Sequence, residues 1–126
     1  MRAAFVAALR AEPGLAALNG VFDGPAVRAS EPFAEIADVQ ASDWSTKDTR
    51  GRELRVAVRL RDLAETSTRI SGLVEAVERA VAGLPRALGG WAVASCVFRR
   101  SRVAAEAPGR WTGVVEWRVR MLERED

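Results

Sequence analysis

The sequence contains no histidine and no tyrosine, and it has a single cysteine, Cys96. Without histidine, and with one cysteine, the chain cannot assemble a zinc site of the usual kinds, and a serine or cysteine nucleophile would have no imidazole base. One cysteine cannot form an internal disulfide. Because Cys96 lies in an apolar run, we expect it to be buried in the core rather than to react.

The sequence also lacks the common nucleotide-binding motifs and a segment that could span a membrane. Neither G-x-G-x-x-G nor the P-loop pattern occurs. No apolar run approaches the ~20 residues of a membrane-spanning helix, and the first helical segment turns polar at Arg10 and Glu12. Acid–base chemistry by Glu35, Asp38 or Asp43 stays open, although nothing in their spacing favours it. We therefore predict a cytoplasmic protein that is not an enzyme and has no catalytic residue, metal or cofactor.

The basic residues are nearly all of one kind, because Lys47 is the only lysine among 19 lysines and arginines. Arginine forms planar bidentate pairs with carboxylates and phosphates, which favours protein interfaces or nucleic acid as partners. A genome rich in G and C would produce the same bias, together with the abundant alanine. The chain has 126 residues, of which 48% are hydrophobic. It therefore matches one globular domain, which we predict to span 1–126.

Two segments have the apolar spacing of amphipathic helices. The first, RAAFVAALRAE, carries Phe5 and Leu9 on one face. The second, over 70–84, repeats apolar residues at i, i+3, i+4 and i+7, and Thr66 or Ser67 would be a suitable N-cap.

The remaining patterns are typical of strands. Residues 53–61 alternate strictly between apolar side chains and side chains that are mostly arginine. PFAEIADVQ, from Pro32, is a weaker strand candidate, and WAVASCVFRRSRV and WTGVVEWRVRMLE form a predicted hairpin around Pro108-Gly109. The long loops expected are 40–52 and 103–110. This order predicts an α+β fold, with a single antiparallel or mixed sheet and two helices packed on one face.

The stretch DWSTKDTRGRELRVAVRLRD, residues 43–62, joins a polar loop to the alternating strand. Trp91, Trp111 and Trp117 fall in strand patterns and should pack on the sheet, whereas Trp44 has polar neighbours. Tryptophan and arginine are enriched in interface anchors, although a row of arginines is also typical of the solvated side of an antiparallel sheet. The polarity of the loop predicts that it does not pack within its own subunit. The predicted contact residues are Trp44, Lys47, Arg50, Arg52, Arg55, Arg59 and Arg61.

The order of segments resembles that of the small tail completion or tail terminator proteins of tailed phages and of alphaproteobacterial gene transfer agents. The similarity covers nearly the whole chain and brings no catalytic motif with it. Its most telling parts are the W-S-T-K run that leads to G-R-E-L-R-V-A-V, and the late aromatic strand. The segments that carry it are VFDGPA, EPFAEIAD, DWSTKDTRGRELRVAVRLRD, ISGLVEAVERAV and GRWTGVVEWRVRM.

The resemblance implies a structural role with a lambda-type terminator fold. Such a protein forms a ring, usually a hexamer, that caps the tail tube, ends its polymerisation and contributes to the head–tail junction. Its partners would be copies of itself, the tail tube protein, head–tail connector proteins and DNA passing nonspecifically through the lumen. It would be found in the bacterial cytoplasm during assembly and then in the phage-like particle.

The main alternative is a nucleic-acid-binding α+β module with a basic sheet face. The isoelectric point of about 9.4 and the arginine-striped strand favour it. However, exposed aromatic residues that would stack on bases do not alternate with these arginines. The residues alone leave three partners open for the arginine face: a neighbouring subunit, DNA or solvent.

Overall fold

The computed structural model describes residues 1–124, which form two helices, a short 3₁₀ turn and six strands. In chain order, these are α1 (Arg2–Ala11), the 3₁₀ turn (Pro13–Leu15), β1 (Val21–Phe22), β2 (Phe33–Asp43), β3 (Gly51–Leu63), α2 (Thr68–Ala82), β4 (Ala87–Leu88), β5 (Trp91–Ala107) and β6 (Arg110–Glu123).

All six strands belong to one sheet, in the order β1-β2-β3-β6-β5-β4. The four long strands in its centre pair antiparallel, and β4 also pairs antiparallel with β5. The short β1 runs parallel to β2, so the sheet is mixed. The α+β class with a single sheet and two helices is confirmed.

Both helices cover the same face of the sheet. Phe5 of α1 packs edge-to-face on Trp117 of β6, with ring centroids 5.5 Å apart. Helix α2 approaches β6 closely at Gly113, where an added Cβ atom would lie 2.9 Å from a methyl group of Val74. The apolar stripes of both helices and the alternating apolar residues of β3 and β6 form one buried cluster.

The strands are longer than the sequence pattern indicates, and this corrects both predicted loops. β2 continues to Asp43 and β3 begins at Gly51, so the loop 40–52 shrinks to 44–50. The loop 103–110 is mostly strand, with a tight turn at Pro108-Gly109 in which Gly109 has a φ of +74°. Backbone pairing with a neighbouring strand extends these strands through residues whose side chains are polar, small or exposed, and which show no apolar alternation.

Cys96 is half-buried, not fully buried as predicted. It lies on β5, where β4 covers only Trp91 and Ala92, so the flank of the strand beside Cys96 is open. The partial burial raises the pKa of its thiol, consistent with a packing role. Of the three tryptophans predicted to pack on the sheet, Trp117 is buried, and Trp91 and Trp111 pack against the edge of the core.

A buried carboxylate holds the start of α2. Ser67 occupies the N-cap position, but its side chain makes no capping hydrogen bond. Instead, Arg69 donates hydrogen bonds to both carboxylate oxygens of the buried Asp62, one of them from Nε over 2.9 Å, and another to the Leu63 carbonyl. Trp111 Nε1 donates to the Ala64 carbonyl over 3.0 Å. This polar clamp fixes the connection from β3 to α2, and no sequence motif indicates it.

Truncation of Leu60 to alanine tests the assignment of the core. Leu60 is 0% exposed between the sheet and the helices, so Leu60→Ala should lower the free energy of unfolding by about 2–5 kcal/mol. Val27→Ala is the matched control because Val27 is 95% exposed, and it should change stability by less than ~0.5 kcal/mol. Chemical denaturation of the two variants measures the difference. Equal stabilities would contradict the described core.

Candidate interaction surface

The face of the sheet opposite the helices carries charged side chains, and no helix of residues 1–124 covers it. We call it the open face. Its arginines come from β3, β5 and β6, and the strand register places them in three adjacent rows. They are Arg55, Arg59, Arg61, Arg100, Arg102, Arg118 and Arg120.

Carboxylates are interleaved with most of these arginines. On one side of the face, Arg59 pairs with Glu35 over 3.1 Å, and Arg61 lies 3.5 Å from Glu106. On the other side, Arg100 pairs with Glu116 over 2.8 Å. The open face is therefore a lattice of alternating charges rather than the uniformly basic stripe that the sequence of β3 suggests. Such a lattice has a weaker net field than the count of arginines implies.

Glu53 organises the charges of the open face at the end of the sheet near the loop 44–50. It accepts a hydrogen bond from Arg120 Nε over 2.9 Å, and Arg118 Nε lies 4.0 Å away. The hydrogen bond from Arg120, with the positive charges of Arg118 and Arg55 nearby, holds the pKa of Glu53 below its ordinary value of 4.5. This carboxyl therefore remains ionised in mildly acidic solution.

Glu35 is 5% exposed although it lies on the open face. Besides Arg59, it binds the backbone N–H of Ala26, which donates to Glu35 Oε2 over 2.9 Å. The segment between β1 and β2 is thereby attached over one corner of the open face. The sequence identified Glu35 only as an unlikely acid–base residue, and the structure gives it a charge-pairing role instead.

Arg55 differs from its neighbours because it makes no ion pair within residues 1–124. Its partner across the β3–β6 ladder is Arg118, another cation. The Nε of Arg118 is buried and has no hydrogen-bond partner in the described chain. Beside Arg55, above the small side chain of Ala57, is a hollow of about 230 Å³ that Arg99 and Asp38 also line. Arg55 is exposed and can therefore bind an additional anionic group from outside the subunit.

The loop 44–50 is held by hydrogen bonds within its own subunit, which corrects the expectation that it is too polar to pack there. Trp44 N–H donates to the Gly51 carbonyl over 3.0 Å, and Gly51 N–H donates to Ser45 Oγ over 3.0 Å. Arg120 lies over the Trp44 ring, 5.2 Å from its centroid. Gly51 permits this turn because a Cβ atom there would collide with the Trp44 carbonyl. Trp44 is therefore half-buried against the end of the open face.

The structure divides the seven predicted contact residues into three groups. Arg55, Arg59 and Arg61 share the open face. Trp44, Lys47 and Arg50 lie at the end of the sheet, where Lys47 is exposed and Arg50 is 3.6 Å from Glu123. Arg52 is on the opposite face, level with Met121, and its guanidinium lies 5.7 Å from the centroid of the Trp91 ring.

The described residues offer no site for metal chemistry, since no group of three or more acidic or cysteine side chains converges within 1–124. Neither α1 nor α2 is long and apolar enough to cross a membrane.

Acid titration tests the charge lattice. The hydrogen bond from Thr112 and nearby arginines hold the pKa of Glu106 below its ordinary value, as Arg120 does for Glu53. Both carboxyls bind protons more weakly in the folded chain than in the unfolded chain. Their contribution to stability is therefore present above the ordinary pKa and is lost as the pH falls below about 5. Glu53→Gln with Glu106→Gln should melt below the wild type at pH 7. The difference in melting temperature should shrink with acidification, and a constant difference would contradict this role.

Comparison with known proteins finds a similar solved structure and a matching family model. Among the chains of solved structures, one from the "Virion of native gene transfer agent (GTA) particle" is similar in fold, with a TM-score of 0.82 and 22% sequence identity. The alignment covers 97% of this chain and 94% of that chain. No curated protein matches significantly. The family model described as "Tail completion protein gp17" matches residues 3–122. The chain thus belongs to the tail completion protein family, whose members are structural proteins of phage-like particles.

Proposed function

We propose that this chain is a lambda-type tail terminator that forms a ring, most simply a hexamer, on the end of the tail tube. The ring ends polymerisation of the tube and forms part of the head–tail junction. The family match over 3–122 supports this function. The structural observation that carries it is the open face, a broad charged surface formed by three adjacent strands.

A ring explains why one subunit would have several chemically different surfaces. Each subunit of a closed ring presents two different surfaces to its two neighbours. It also has upper and lower surfaces for the tube and the connector, and an inner surface toward the lumen. A sheet with helices on one face and charges on the other presents chemically different surfaces to these different partners. An ordinary soluble monomer would need only one solvated surface.

The end of the sheet supplies the contact for the tube or the connector. The turn 44–50 extends beyond the last pairs of β2 with β3 and carries Lys47 and Arg50 at the surface. Hydrogen bonds keep this turn ordered before any partner binds. A preorganised loop loses little conformational entropy on association, which favours tight binding.

DNA in the lumen is an accompanying partner that needs no specific recognition. Phosphate contacts carry no sequence information, and a lattice of paired charges would let a polyanion pass without holding it. Assembly would take place in the bacterial cytoplasm, and the finished ring would remain in the particle.

Charge reversal in the turn 44–50 tests the proposed contact. Lys47→Glu with Arg50→Glu should leave the melting temperature of the subunit within a few degrees of the wild type, because exposed charges contribute little to stability. Particles carrying this variant should have tails of abnormal length or unattached heads in micrographs. Arg2→Glu with Arg28→Glu is the charge-matched control on exposed residues elsewhere, where Arg2 pairs with Asp23 as Arg50 does with Glu123, and it should assemble normally. Normal particles from the turn variant would overturn the assignment.

A gel-shift titration separates the ring from the nucleic-acid-binding alternative. We expect weak binding to double-stranded DNA, independent of sequence and lost steeply as salt rises, because only phosphate contacts would contribute. Arg55→Ala should weaken this binding equally for all sequences, since Arg55 is unpaired on the open face in the described chain. Salt-resistant binding to one sequence would instead favour the nucleic-acid-binding module.

A further inference from the structure

Both edges of the sheet have long stretches without a neighbouring strand in residues 1–124. β1 covers β2 only at Ala34 and Glu35, so the outer flank of β2 is open over 37–43. β4 covers β5 only at Trp91 and Ala92, so the outer flank of β5 is open over 94–107. Exposed flanks of this kind carry backbone N–H and C=O groups that can pair with a strand of another chain.

The two open flanks lie at the same level of the sheet. Following the register across the four long strands, Val39 is level with Val56, then Trp117, then Phe98. One step along, Asp38 is level with Ala57, Glu116 and Arg100. If two copies lie side by side without a vertical shift, β5 of one copy therefore meets the open part of β2 of the next.

The open flank of β5 carries apolar side chains that its own subunit leaves exposed. Val97 is 42% exposed and Phe98 is 47% exposed, and both are among the most exposed large apolar residues of the described chain. Phe98 is level with Trp117 and so lies on the helix side of the sheet. Val39, the residue at the same level on β2, lies on that side too and is only partly buried.

The charges of the two flanks are opposite. The open part of β2 carries the exposed Asp38 and Asp43 and no cation. The level part of β5 and its continuation carry Arg99, Arg100 and Arg102. Glu106, the acidic residue of that flank, pairs with Arg61 of its own subunit. Arg99 and Arg102 make no ion pair within residues 1–124. Opposite charges on facing surfaces favour the correct register and disfavour pairing of two identical flanks.

The directions of the strands also permit the contact. β2, β3, β6 and β5 alternate in direction, so β2 and β5 run antiparallel to each other. A rotation about an axis roughly along the strands preserves their direction in the next copy. β5 of one copy and β2 of its neighbour would then run antiparallel, as every long pair inside the subunit does.

We propose that the open flank of β5 pairs with the open flank of β2 of a second copy of this chain, so that the sheets of the ring join edge to edge. Phe98 then packs near Val39 of the neighbour, and Arg99 or Arg100 pairs with its Asp38. The layer of helices takes up more circumference than the sheet and therefore lies on the outside of the ring. The open face then lines the lumen. The inference rests on the proposed ring and names its subunit contact.

Disulfide cross-linking tests the contact. Val39→Cys is combined with Phe98→Cys in a Cys96→Ser background, and particles are made in a host in which the variant replaces the natural chain. Within one subunit the two positions are three strand spacings apart, about 14 Å, whereas a disulfide needs Cα atoms within ~7 Å. Any disulfide between them therefore joins two copies. We expect a ladder of oligomers after oxidation that collapses on reduction.

Three additional variants complete the test, two for the register and one as the control. Val39→Cys with the natural Cys96, and Val39→Cys with Ser101→Cys in the Cys96→Ser background, allow a shift of two ladder positions in either direction, because Cys96, Phe98 and Ser101 lie on the same face of the sheet. Val39→Cys with Ala7→Cys, also in that background, is the matched control because Ala7 is exposed on α1. It should give no ladder.

Charge exchange gives an independent result. Asp38→Arg alone and Arg99→Asp alone should each reduce the number of capped tails at least several-fold, and the double variant should recover most of it. If wild-type tubes show a ring at their end but no cross-link forms in any register, and the charge variants cap normally, the edge contact is wrong and the ring stands. The charges of β5 would then serve only to prevent edge association. Wild-type tubes without a terminal ring would overturn the proposed function itself.

Discussion

The pairing of β3 with β6 is the constraint on which the rest of the structure depends. The two strands pair from Gly51 with Leu122 to Leu63 with Arg110 without a register shift. Because side chains alternate between the faces of a strand, this register assigns every residue of both strands to the core or to the open face. A slip by one residue would place the arginines of β3 against α2 and expose its valines and leucines.

The two faces set by this ladder are stabilised by different interactions. On one face, α1 and α2 bury a single apolar cluster, and Gly113 leaves room for α2 to approach the sheet. On the other face, cross-strand pairs of arginine with glutamate neutralise most of the charge. Exposed pairs of this kind contribute little to the stability of the subunit. Their arrangement is therefore better suited to recognition than to folding, which agrees with a protein that acts through assembly.

The open flanks of β2 and β5 make the two edges of the sheet different from each other. A sheet that ends in short β1 and β4 strands is protected only at its corners. Opposite charge on the two flanks allows head-to-tail association and opposes association of like flanks, the property that a closed ring requires. In the proposed ring, the surfaces for neighbours, for the lumen and for the tube can then coexist on one small chain without interfering with each other.

The sequence by itself determined the elements that have a strong period. The alternation in 53–61 and the stripe over 70–84 predicted β3, α2 and the α+β class, because burial of one face leaves a repeat of two or about 3.6 residues. The missing residue types excluded the usual zinc and triad chemistry in the same direct way. Only the tertiary structure decided the extent of β2 and β5, the clamp between Asp62 and Arg69, and the carboxylates beside most of the arginines of the open face. The strand lengths and the charge pairs depend on residues far apart in the chain that backbone pairing brings together, and the sequence pattern does not encode that register. The clamp joins residues only seven apart, but it depends on where β3 ends and α2 begins.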